Sequence, residues 1–406
     1  MANLDHRVAI IGGGYAGMAA AVTLAERGIR VTVFEAGAVP GGRARRVLSQ
    51  GHELDNGQHI FVGAYSELFG LMRTVGVRPD NALLRIPLEI RYANGFAFRA
   101  GLAGLMLARG VAIAEKFQTL KFMAALRRTG FRVERDITVK KLLDQHGQHG
   151  TMRHHVWAPL CVSALNTPLD QASANVFLAA LRDTVGKGGD ASDLVLPRVD
   201  LSRLFPEPAA QFVQARGGEV RCSSTVRELS ALKEEFDKII VAVGPHQLKT
   251  LIPELAHEFT YQPIYTCYLQ YPEHVRLDFP MLGLAEGLVQ WVFDRGTLLG
   301  EKGRLACVIS AQGDHQQMTQ DEVAERCDRE LRSAFPRLPA PVWMRVIAEK
   351  RATISCTPGL RRPEIRTAIT GVVLAGDYTD PEYPPTLEAA VRSGIRAAEL
   401  VASSGG

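Results

Sequence analysis

Residues 8–36 read VAIIGGGYAGMAAAVTLAERGIRVTVFEA, and this stretch decides the fold. Residues 8–11 are a short apolar run ending in glycine, the pattern of a buried parallel strand. Gly12, Gly14 and Gly17 follow at G-x-G-x-x-G spacing. There the first glycine permits a tight turn, the second lets backbone approach a pyrophosphate, and the third lets the helix pack on the strand. An Ala-rich helix is predicted over 15–27, stopped by Gly28, and a second strand over 30–34. Glu35 ends that strand, eighteen residues past Gly17. A carboxylate there accepts ribose hydroxyls and repels a 2′-phosphate. Strand, glycine turn, helix, strand and acid in this order predict a dinucleotide, FAD or NAD but not NADP, with Tyr15, Ala16 and Ala36 beside it.

At 406 residues the chain has room for two or three domains and a deep pocket. Its 46% hydrophobic and 22% charged residues are those of a globular protein. A net charge of +4 is too mild to imply nucleic acid. Met1–Arg7 contains Asp5 and lacks an apolar core, so no secretory signal is expected. No uninterrupted apolar run reaches the roughly 18 residues of a spanning helix. Six cysteines lie scattered without a C-x-x-C pair, which predicts neither a metal site nor a disulfide framework. The expected setting is the reducing cytoplasm.

Pro40-Gly41-Gly42 is a turn whose amides, with Arg43, suit phosphate oxygens. NAD enzymes have no need of a second glycine–arginine clasp at this place. FAD oxidoreductases of the amine oxidase and phytoene desaturase type carry this GGR. The next segment, HELDNGQHIFVGAY (52–65), turns at Asp55-Asn56-Gly57, and Gly57 allows backbone to approach a planar ligand. With LDNGQH, GAY and the later LMRTVG (71–76), the chain resembles the hydroxysqualene dehydroxylases, flavoproteins of squalene and hopanoid biosynthesis. The resemblance implies that Gly57, Gln58 and His59 run past the isoalloxazine ring of FAD. It continues through WAPLC, ALNTP and the closing GDYT…TLEAAVRSG, so it spans residue 8 to about 400.

Residues 101–135 hold seven basic and two acidic side chains. Ile113, Phe117, Leu120 and Ala124 form one helical stripe, with Arg109, Lys116 and Arg127 along its edge. Two readings stand: a helix lying in an anionic bilayer interface, or a helix burying its stripe in its own domain. In residues 151–181, Trp157, Cys161, Leu165 and Leu169 recur every four residues, while Pro159 and Pro168 are expected to break any single helix. Spacing alone makes these core positions. The apolar substrate implied by the resemblance makes Trp157, Cys161, Leu165 and Asn166 candidates to line a tunnel.

Residues 219–226 alternate as a strand; the resemblance implies that Val226 returns to the adenine end of FAD, and 237–244 are expected to rejoin the dinucleotide-binding sheet. Apolar runs between 259 and 311 predict an antiparallel sheet flooring the pocket. A strand over 372–375 places Gly376 and Asp377 at its carboxyl end, where open parallel sheets bind ligands, and Asp377 suits a ribityl hydroxyl. A last helix from Thr386 and Leu387 would aim its N-terminal amides at the flavin. The fold class is α/β: a Rossmann-type FAD-binding domain (1–78, 201–246, 349–406) and a discontinuous α+β substrate domain. The latter is helical over 79–200 and β-rich over 247–348.

The resemblance implies reductive dehydroxylation of a C30 isoprenoid, with reduced FAD supplying hydride while the hydroxyl leaves as water. Gln58, His59 and Tyr383 are the ring-side candidates to assist that departure. A carotenoid-type desaturase runs hydride the other way on the same fold. An amine oxidase would carry a tyrosine where Thr386 precedes Glu388, and a prenyl-binding escort protein would have little use for the flavin clasp. Expected partners are an apolar isoprenoid, an unidentified electron donor and the inner face of the cell membrane, touched peripherally.

Overall fold

A computed structural model describes residues 7–403; the expectation about a leader in residues 1–6 lies outside them. The strands Arg7–Ile11 and Arg30–Phe34 pair in parallel, joined by the helix Tyr15–Glu26. That helix ends where Gly28 takes φ +77°, its N–H donating to Ala25 and that of Ile29 to Leu24. This Schellman ending requires the left-handed conformation that glycine adopts without strain. Lys238–Val241 pairs with Arg7–Ile11 on the other side, and Val372–Leu374 lies outside it. Glu219–Arg221 completes a five-stranded parallel sheet at the opposite edge. This last strand is shorter than the expected 219–226. Ser223 and Ser224 leave it to donate to the carbonyls of Gly37 and Glu35, which carries Val226 toward the carboxyl ends of the strands.

A second five-stranded sheet is antiparallel, in the order Met281–Gly283, Trp291–Asp294, Arg304–Ser310, Tyr261–Gln270, Trp343–Ile354. Its strands alternate faces. Cys267, Leu269, Leu305, Cys307 and Val346 pack under the helix Gln320–Ala334, and Tyr268, Phe293, Ala306 and Val308 face the helical region. The strand Trp343–Ile354 runs through the expected boundary at 348/349, because its ladder with Tyr261–Gln270 continues past that point.

Residues 150–165 are continuously helical despite Pro159. A π-helical turn, Arg153–Trp157, precedes the proline and widens the backbone where its missing N–H would have donated. The helix stops at Asn166, which is left-handed.

The helix Tyr15–Glu26 is buried on nearly every side, being sandwiched between the parallel sheet and the C-terminal helix Leu387–Ser403. Small side chains set that spacing: a Cβ at Gly394 would lie 2.1 Å from the carbonyl oxygen of Ala16. Gly394→Ala should therefore push the two helices apart and lower unfolding stability by about 1–3 kcal/mol. Urea unfolding checks this; an unchanged midpoint would show that the crossing has slack.

Candidate functional site

One cavity of about 1280 Å³ runs from the carboxyl ends of the parallel strands to the face of the antiparallel sheet. Its first end is built from two glycine turns. Gly12 takes φ +104°, and a Cβ there would meet the Ala242 carbonyl oxygen at 2.6 Å. The Gly41 N–H donates to Gly13 at 2.8 Å, and a Cβ on Gly42 would sit 3.1 Å from the Cα of Gly14. Gly14, Tyr15 and Ala16 line the cavity at a helix start with no side-chain cap and no acid in its first turn. Such a terminus keeps unpaired N–H groups for an anion. Gly17 is the exception among the expected glycines: it lies outside the lining, and its Cβ would fall 1.9 Å from the Gly12 oxygen. It acts by packing helix on turn.

Glu35, Ala36 and Val226 line the same end. The Glu35 carboxylate accepts the N–H groups of Gly13 at 2.7 Å and Gly37 at 2.6 Å, which fixes the acid beside the turn. Gly41, Gly42 and Arg43 follow along the wall, with Gly376 and Asp377 opposite. Arg43 donates to both Asp377 oxygens at 2.7 and 2.8 Å and to the Ala352 carbonyl at 2.6 Å. Burial works against the Arg43 charge, but Asp377 outweighs it and holds the guanidinium pKa above its ordinary value.

At the middle of the cavity stand Gly57, Gln58 and His59 from one side, Thr386 and Leu387 from the other. Gly57 takes φ +100°, and the preceding Asn56 donates to the Arg43 carbonyl at 2.9 Å and to Glu349 at 3.3 Å. Thr386 caps the last helix by accepting the Ala389 N–H at 3.2 Å. Burial pulls the His59 imidazole down to about 4, the Asn56 backbone offsetting this in part and the Arg43 charge adding to it. His59 is therefore neutral at physiological pH. Gln58 accepts a hydrogen bond at 2.9 Å from Arg295, a residue with no warning in the sequence beyond its charge in an apolar run.

Tyr383 does not reach the cavity. It is buried in the turn before the last helix, where Arg392 lies 4.7 Å from its ring centroid. Its N–H donates to Asp380 at 2.9 Å and its carbonyl accepts Arg362 at 2.7 Å. Tyr383 is thus buried outside the cavity lining, and the ring-side assignment made for it is corrected.

The far end is mainly apolar, with Ile264, Trp291, Phe293, Val308 and Ile347 of the antiparallel sheet facing helix residues Val162 and Ala164. The tunnel-lining role expected of Trp157, Cys161 and Leu165 does not hold. Trp157, Cys161 and Leu165 are buried in the core and are not part of this wall. Their four-residue spacing marks the face of the helix that packs inward. The Trp157 indole donates to Gln148 at 3.0 Å, and burial raises the Cys161 thiol pKa. Asn166 does line the cavity, though its amide is engaged: Oδ1 accepts the Ala311 N–H at 2.7 Å, and Nδ2 faces Thr353 at 3.1 Å and two carbonyls. Ser163, unforeseen, accepts the Trp291 indole N–H at 3.2 Å.

A hydroxysqualene dehydroxylase of Sinorhizobium fredii is 30% identical over 98% of this chain and 99% of its own length. Another, from Zymomonas mobilis, is 28% identical over 97% and 98%. A zeta-carotene desaturase of Synechocystis is more distant, 23% identical over 97% of each chain. In three dimensions, a redesigned putrescine oxidase superposes with TM-score 0.75 over 98% of this chain and 99% of its own, at 17% identity, a likeness of fold. The model of flavin containing amine oxidoreductases matches residues 15–402. The chain thus belongs to the flavin containing amine oxidoreductase family and, within it, to the hydroxysqualene dehydroxylases.

Proposed function

We propose that the protein binds FAD and reductively removes the hydroxyl of hydroxysqualene to give squalene. The observation that carries this reading is one continuous cavity with a glycine-rich, arginine-bearing cradle at one end and an apolar wall at the other. Its volume, about 1280 Å³, exceeds the roughly 300–1,000 Å³ of ordinary small-molecule pockets. The cradle fits a dinucleotide, because the two glycine turns meet backbone to backbone, a Cβ on Gly42 lying 3.1 Å from the Gly14 Cα. The uncapped helix start suits a pyrophosphate, and Glu35 suits a ribose.

When bound, FAD supplies the hydride chemistry. The net change replaces a C–O bond by a C–H bond, and the oxygen departs with a proton as water. Two electrons enter from a separate donor. The chain's part is to hold the isoprenoid against Trp291, Phe293, Val308 and Ile347, exclude bulk water, and assist the leaving oxygen. Gln58 donates to that oxygen through its amide, with His59 beside it as a neutral imidazole.

The basic segment 101–135 completes the proposal. Phe122 and Leu126 of the helix Ile113–Arg128 face the core; of the four stripe residues, Ile113, Phe117 and Ala124 face out, while Leu120 packs partly on the core. Of nine large apolar side chains exposed among the described residues, five are here: Leu102, Met106, Leu107, Ile113 and Phe117. A stripe turned outward favours the bilayer reading over the domain-packing one. Arg109, Lys121, Arg127 and Arg128 surround it in exposed positions, while Lys116 is tied to the Met106 carbonyl at 2.6 Å. No helix of the described residues is long and apolar enough to cross a membrane. The protein would rest on the anionic inner face of the cell membrane and take up its lipid substrate there.

Dithionite-reduced holoenzyme incubated anaerobically with hydroxysqualene should yield squalene and oxidised flavin. A polyene formed only by the oxidised enzyme would replace this reading with the desaturase one. Because His59 protonates only near pH 4, its titration should leave no limb in the kcat–pH profile between about pH 6 and 8. A limb in that window that vanished in His59→Gln would contradict the assignment. Leu107→Glu combined with Phe117→Glu should weaken binding to phosphatidylglycerol vesicles at least about tenfold in a co-sedimentation assay, since each side chain contributes roughly 1.5–3 kcal/mol when buried in hydrocarbon. Equal sedimentation of variant and parent would remove this surface from the membrane.

A further inference from the structure

We infer that Arg295 is a positioning residue that locks the Gln58 amide with its N–H groups toward the substrate, an inference resting on the role proposed for Gln58. Arg295 is almost wholly buried, at 1% exposure, yet it carries a full charge. Its Nε and Nη2 form a two-pronged pair with Glu301, both at 2.7 Å. Its Nη1 donates to Asp55 at 3.1 Å and to the Gln58 Oε1 at 2.9 Å. The Tyr268 ring lies 5.3 Å from the guanidinium carbon. Each partner is fixed in turn. The second Asp55 oxygen accepts the Leu201 N–H at 2.9 Å, and Arg304 donates to Glu301 at 2.8 Å.

The consequence for Gln58 follows from hydrogen-bond inventory. A guanidinium has donors only, so the glutamine oxygen must face it and the NH₂ must face away. Gln58 lines the cavity, and its Nε2 makes no hydrogen bond to the described residues. A glutamine without such a partner can rotate its terminal amide by half a turn and present oxygen instead. Oxygen cannot help a hydroxyl leave. A buried ion-pair cluster is a poor device for stability, since packed apolar residues commonly do as well. Orientation of the neighbouring amide gives this one a purpose.

The test is a double-mutant cycle on the FAD-loaded enzyme, with hydroxysqualene turnover, flavin content and flavin spectrum measured together. Gln58→Ala should lower kcat on the order of 100-fold, as loss of one aimed donor does. Arg295→Lys keeps the charge but loses the planar fork, and should lower kcat about tenfold with KM within about twofold and the flavin spectrum unchanged. In the Gln58→Ala background Arg295→Lys should cost less than about threefold, because its action passes through the missing amide. Gln58→Glu retains a partner for Arg295 but offers the substrate only an acceptor, so it should fold and turn over as poorly as Gln58→Ala. Should Arg295→Lys not fold, Glu301→Gln replaces it in the same cycle. Equal losses from the Arg295 (or Glu301) change in both backgrounds would overturn the positioning role while leaving Gln58 in place. An unimpaired Gln58→Ala would remove both.

Discussion

Backbone meets backbone at the centre of this protein, and the rest is arranged around that approach. A Cβ would collide at Gly12 with the Ala242 carbonyl and at Gly17 with the Gly12 carbonyl, and the Gly41–Gly42 turn comes so near Gly14 that a Cβ on Gly42 would lie 3.1 Å from its Cα. Gly394, near the other end of the chain, brings the last helix onto the same helix under the same restriction. Close packing of this kind converts a few missing side chains into a defined cleft at the carboxyl ends of five parallel strands. The Arg43–Asp377 pair then ties the second glycine turn to the strand end opposite.

From that cleft the cavity changes character along its length, and the change has a structural cause. Near the parallel sheet the walls are turns, with backbone N–H groups and charged side chains. Near the antiparallel sheet they are alternate residues of strands whose other face packs under Gln320–Ala334. Strand periodicity therefore presents one apolar face to the cavity and another to the helix. Where the two regimes meet, the polar groups are constrained rather than numerous. His59 is kept neutral by burial, and Gln58 is held by an arginine that is itself gripped by two carboxylates.

Local pattern made the first half of the site legible. Glycine spacing, the acid at Glu35, the GGR turn and the strand before Gly376 each act through their own few residues, and all the residues named from them but Gly17 line one cavity. Helix faces were another matter. The four-residue repeat of Trp157, Cys161 and Leu165 records that one face is buried, but burial against neighbouring helices and burial against a ligand leave the same repeat. The stripe Ile113, Phe117, Leu120 and Ala124 has the same ambiguity in reverse: all but Leu120 face outward. Pro159 was also misleading, since a π-helical turn absorbs it.

What the sequence alone determined is the parallel Rossmann-type frame and the family, because both reside in short motifs whose conformations depend on adjacent residues. Only the tertiary structure decided which helix faces meet the cavity, that Tyr383 lies outside its lining and that Arg295 reaches Gln58 from 237 positions along the chain. Those outcomes depend on how separated segments pack, and a side chain's neighbours across a fold leave no period in the sequence that carries it.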